Sequence, residues 1–162
     1  MLTVVGIHAQ NSEFKSETKE KTYSFEMDGI TYENSVKVNT SVTQAVMTDI
    51  DDKSKVNGDR IYPPKVVSKE VWIDNDNDYE YDEYVKFNYL TEEEKDFTLV
   101  STPSNLTVAI EEGNNTTILS HMSILKKQGS ENNSAFVFTM DNGNTLELNV
   151  EDYQNLKDIK SK

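Results

Sequence analysis

Cysteine is absent from this chain, which excludes disulfides, zinc–thiolate and iron–sulfur sites, and cysteine nucleophiles. Arginine occurs once, as Arg60. Arginine is the side chain that grips phosphate and guanine through two parallel hydrogen bonds. With one such residue and a net charge of −13, no phosphate-reading surface is expected, so nucleic acid is not a predicted partner. Histidine is scarce as well, at His8 and His121, and no Gly-x-Ser-x-Gly elbow or glycine-rich phosphate loop accompanies it. No run approaches the ~20 apolar residues of a membrane-spanning helix, so membrane insertion is not expected.

What is present is acid, tyrosine and alternation. The 162 residues fit one domain. Eight Tyr, six Phe and Trp72 supply enough apolar surface for a core despite the low overall hydrophobic content. Leu2–Gln10 is a short apolar run ending in Ala9-Gln10. It resembles the end of a secretory signal peptide, although an ordinary first strand, Leu2 to Ile7, is the reading it favours. The resemblance implies a secreted or periplasmic bacterial protein; the strand reading leaves a cytoplasmic one open. Residues 11–21 are charged and nearly free of apolar side chains, which predicts a polar linker or arm ahead of a β-rich domain at 22–162.

From Thr22 onward the pattern has period two. Thr22–Met27 and Ile30–Asn34 flank Asp28-Gly29, a strong two-residue hairpin signal. A second hairpin is marked by Ala135–Met140, the turn Asp141–Asn144, and Thr145–Val150. Between them Val66–Ile73 reads as a strand, and Tyr79–Leu90 as a long half-buried one. Its odd positions are mainly apolar, with Glu83 the exception. Val150, Tyr153, Leu156 and Ile159 follow helical spacing behind Asn149, which predicts a short helix at about 150–160. Strands at this density predict a mainly β fold, an antiparallel sandwich or barrel of about 7–10 strands with one C-terminal helix.

Two groups of residues are candidate sites. Asp74, Asp76, Asp78 and Glu80 recur at every second position, and alternating carboxylates in a tight loop can supply the oxygens that Ca²⁺ wants. The spacing resembles the first half of an EF-hand loop, but Tyr79 stands where that loop needs glycine and Val85 where it needs glutamate. A solvated turn explains the same residues without an ion, because Asp and Asn tolerate turn geometry. Trp72, Tyr79, Tyr81 and Tyr84 form an aromatic group that on an exposed face can bind a protein or a carbohydrate, and otherwise packs in the core. The leading functional expectation is a non-enzymatic, exported binding domain. An acidic mimic of nucleic acid that occupies a basic partner is the alternative, and a hydrolase with paired carboxylates is a third reading.

Overall fold

The computed structural model describes residues 11–48, 60–92, 95–103, 105–113, 115–125, 134–139, 143 and 145–160. The mainly β expectation holds. Ten strands and one helical turn follow the chain: β1 (Asn11–Met27), β2 (Ile30–Thr48), β3 (Arg60–Ile61), β4 (Lys65–Asp74), β5 (Glu83–Thr91), β6 (Asp96–Ser101), β7 (Asn105–Glu112), β8 (Asn115–Leu125), β9 (Ser134–Thr139), β10 (Thr145–Asn155) and α1 (Leu156–Lys160). They form a sheet in the order β6-β7-β8-β1-β2-β4-β5-β10-β9, with β3 beside β2. Among the described residues all pairs are antiparallel except β1 with β8, which meet in parallel at Ser24 and Asn115. Among the described residues β6 and β9 are the two ends of this order and do not pair, so the sheet is open and not closed into a barrel.

The first hairpin turns where the sequence places it. Asp28 and Gly29 both have positive φ, 54° and 75°, the geometry of a tight turn whose twist matches the flanking strands. From Met27↔Ile30 the register runs unbroken to Asn11↔Val46. Residues 11–21 are therefore strand, and not the linker that their polarity suggested. Their alternation is one of charge: Glu13, Lys15, Glu17, Lys19 and Lys21 occupy every second position, while their backbone pairs with the β-branched stretch of β2.

The second correction concerns the C-terminus. Val150–Asn155 belongs to β10, and the helix is a single turn behind it. A bulge between Val150 and Asp152 shifts the register against β5. The extra residue places Val150 opposite Phe87 and Tyr153 opposite Val85, both on the core side. A spacing of three between inward residues imitates a helix. Asn155, not Asn149, caps α1: its Oδ1 accepts the N–H groups of Lys157 and Asp158.

The core lies on one face of the sheet. Tyr23, Val36, Val38, Val71, Ile73, Val85, Phe87, Tyr89 and Leu148 are buried there, and Phe97, Leu99, Leu106 and Val108 of β6 and β7 join the same cluster. Hydrogen bonds bring β6 onto this face: among them, Tyr89 OH donates to Asp96, Thr98 Oγ1 to Tyr23 OH, and Ser101 N–H to Asn34 Oδ1.

Candidate functional site

The loop between β4 and β5 is built by its own aspartates. Asp74 Oδ1 accepts the N–H of Asp76 at 3.1 Å and of Asn77 at 2.7 Å. Asp76 Oδ1 accepts the Asp78 N–H, and Asp78 Oδ1 the Glu80 N–H at 2.6 Å. Each short carboxylate closes a turn over the next two or three residues, and Asn77 takes a positive φ of 59°. Asp82, buried at the far end, accepts the Asn75 N–H at 2.8 Å, and its own N–H reaches Ile73 O. That closure delays β5 until Glu83 and leaves Tyr79 and Tyr81 in the loop, outside the strand predicted for them.

Lys157 of α1 fastens this loop. Its ammonium is 2.6 Å from Asp76 Oδ2 and 2.7 Å from Asp82 Oδ1. The hydrogen bonds that the ammonium donates to those carboxylates raise the Lys157 pKa, and the Lys157 contact lowers that of Asp76.

Asp74, Asp76 and Asp78 each bring a carboxylate oxygen within 4.8 Å of the others; Glu80 does not belong to this group. The residues fit a calcium ion poorly, because the Lys157 ammonium already supplies positive charge at Asp76. Millimolar Ca²⁺ is therefore expected to move the thermal midpoint by less than roughly 1 °C. A rise of several degrees, abolished by Asp74→Asn, would contradict this and restore a calcium site.

The aromatic candidates separate into two places. Tyr79 is fully exposed. It lines, with Tyr81, Asp74, Asp78, Glu80, Glu20 and Lys21, a concavity of about 510 Å³ beside the middle of β1. Partial burial, then the charges of Glu20 and Asp74, raise the Tyr81 pKa. Trp72 and Tyr84 lie outside this concavity, on the sheet face opposite the core, with ring centroids 5.2 Å apart. Lys37 Nζ stands 5.3 Å from the Trp72 ring centroid and occupies the face that a sugar ring would need.

A second polar feature lies inside the fold. Lys69 is 1 % exposed, and its ammonium is 2.7 Å from Asp96 Oδ1 and 3.1 Å from Glu111 Oε2. Lys21 also pairs with Glu111, Tyr23 OH donates to Glu111 at 3.0 Å, and Tyr89 OH to Asp96 at 2.8 Å. Cavities of about 340 and 230 Å³ flank this cluster, and Glu17, Thr40 and Asp96 line both. Burial draws the Lys69 pKa down, with the Asp96 charge opposing. Burial pushes Asp96 up, but the Lys69 charge and hydrogen bonds from Lys69 and Tyr89 outweigh it and leave its carboxyl below the ordinary value. The one sequence signal for this cluster is parity. Lys69 shares the inward positions of β4 with Val67, Val71 and Ile73.

His121 falls in β8, with its side chain outside the described residues, and His8 lies outside them altogether. No family model, no curated protein and no solved structure matches the chain.

Proposed function

We propose that this chain is a non-enzymatic interaction domain that binds a basic segment of a partner protein at the 74–81 loop. The observation that carries the reading is the fully exposed Tyr79, set with Tyr81 among the carboxylates of Asp74, Asp78, Glu80 and Glu20. A tyrosine presents a large rigid ring at low entropic cost and suits a contact anchor. Acids around it attract Lys or Arg, whose stems lie along the ring while their heads meet the carboxylates. The net charge of −13 adds long-range steering of such a partner.

Two features favour binding over hydrolysis and protein over sugar. The carboxylate pair beside the inner cavities, Asp96 and Glu111, shares the Lys69 ammonium. Asp96 is held ionised, whereas a general acid needs a raised carboxyl. The outward indole of Trp72 carries Lys37 and is not an open platform.

The test is retention of native-host proteins by the immobilised chain at low ionic strength. The expected result is a basic polypeptide held by wild type and by Trp72→Ala, released by added salt, and lost from Tyr79→Ala and from Asp78→Asn/Glu80→Gln. Equal retention by all four proteins would overturn the reading.

A further inference from the structure

We infer that two copies of this chain pair through the free edge of β1, antiparallel and centred on Ser16. The observation is an exposed edge whose charges are complementary to themselves. On one side β1 pairs with β2 along its whole length. On the other, among the described residues, it meets only β8, at Ser24. Residues 12–20 are all exposed, and they leave an open row of N–H and C=O groups, which is a template for another strand.

Parity decides which backbone groups are free. In a two-residue hairpin the residues flanking the turn, here Met27 and Ile30, exchange both hydrogen bonds. Odd residues of β1 thus spend their N–H and C=O on β2, and even residues aim theirs at the open edge. Ser24 is even, and its carbonyl accepts Thr116 Oγ1 from β8, as this parity requires. An added strand must hydrogen-bond to Ser12, Phe14, Ser16, Thr18 and Glu20. The odd residues between them fall at the non-hydrogen-bonded positions, where facing side chains come closest.

The charges then select the register. With Ser16 opposite the partner's Ser16, Glu13 faces the partner's Lys19 and Lys15 faces the partner's Glu17, and the two-fold axis repeats both pairs. Sliding by two residues one way sets Lys15 against the partner's Lys15 and Glu13 against the partner's Glu17. Sliding the other way sets Lys15 against the partner's Lys19 and Glu17 against the partner's Glu17. Both place like charges at the closest positions, which is unfavourable. The chosen register also sets the partner's Thr18 opposite Phe14, which is 65 % exposed in the single chain. Pairing spans residues 12–20, roughly 30 Å of strand, and stops before Ser24, where β8 takes over the edge. Such an interface is isologous, the commonest way in which identical chains associate.

The pairing goes beyond the loop-based reading and is tested on the full chain without any partner protein. Sedimentation equilibrium at roughly 100 µM protein and low salt should give twice the 18.5 kDa chain mass. K15E/K19E makes the charges from 13 to 19 on that face uniformly negative, and E13K/E17K makes them uniformly positive. Each variant alone should sediment as a monomer with an unchanged far-UV spectrum, and an equimolar mixture should return to the dimer mass. A monomeric wild type, a dimer that survives K15E/K19E, or a mixture that stays monomeric would each overturn the inference.

Discussion

Lys69→Met should destabilise the domain by about 3–5 kcal/mol, because removing one partner of a buried ion pair leaves uncompensated charge behind. The methionine stem replaces most of the volume, so the loss is electrostatic. Asp96 and Glu111 both lean on this ammonium; Lys21 remains paired with Glu111 and acts on Asp96 only as a lesser charge. The pH dependence carries the sign. In wild type the Asp96 pKa lies below its ordinary value. Its contribution to stability is therefore complete above the unfolded value of about 3.9 and is lost as pH falls through the lower folded value. The lowered Lys69 pKa makes stability rise with pH between its folded value and the ordinary ammonium value. In the methionine variant, burial of Asp96 loses its main opponent and its carboxyl moves up. The variant should then be less handicapped at pH 4 than at pH 7. Urea midpoints of both proteins at the two pH values check this, and an equal deficit at both would contradict it.

Asn34→Ala should cost about 2–6 kcal/mol, since it strands two buried backbone groups at ~1–3 kcal/mol each. Asn34 is buried in β2. Its Oδ1 accepts the Ser101 N–H at 2.8 Å, and its Nδ2 donates to Ser101 O at 3.1 Å. One amide thereby completes the hydrogen bonding of the end of β6 across the core. The same Nδ2 reaches Asn75 Oδ1 at 2.8 Å, and Asn75 Nδ2 donates to Glu83 Oε1 at 2.8 Å. Glu83 also receives hydrogen bonds from Ser101 Oγ and Tyr153 OH. The substitution therefore loosens the attachment of the loop as well as β6. Equilibrium unfolding should show the lowered midpoint with an unchanged slope. Asn34→Asp, which keeps the acceptor and loses the donor, should still accept the Ser101 N–H; a midpoint equal to that of wild type would show that the donor contributes nothing.

The parts of the fold that could be read from the sequence are those where one residue type has one physical use. Asp28-Gly29 marks a turn because both positions need positive φ. The alternation of β5 marks a buried face, and Glu83, the exception on that face, proves to be buried and hydrogen-bonded. Where the reading failed, another pattern replaced the expected one. β1 alternates in charge and not in hydrophobicity, so its outer half looked like a linker. The bulge in β10 turned a period of two into three and imitated a helix. Tyr79 and Tyr81 share parity with the apolar side of β5, but the Asp82 hydrogen bonds close the loop first. The meeting of Lys69 with Asp96 and Glu111 was not legible, because it depends on β6 and β7 folding over the sheet.

The most direct test of the proposed function is photocrosslinking in the native host, with a benzophenone amino acid in place of Tyr79 in one protein and of Trp72 in another. Tyr79 is fully exposed in the acidic loop, and Trp72 sits on the outer sheet face under Lys37. Position 79 should yield an adduct with a basic protein and position 72 should not. An adduct from position 72 with none from position 79 would contradict the assignment of the loop as the binding surface.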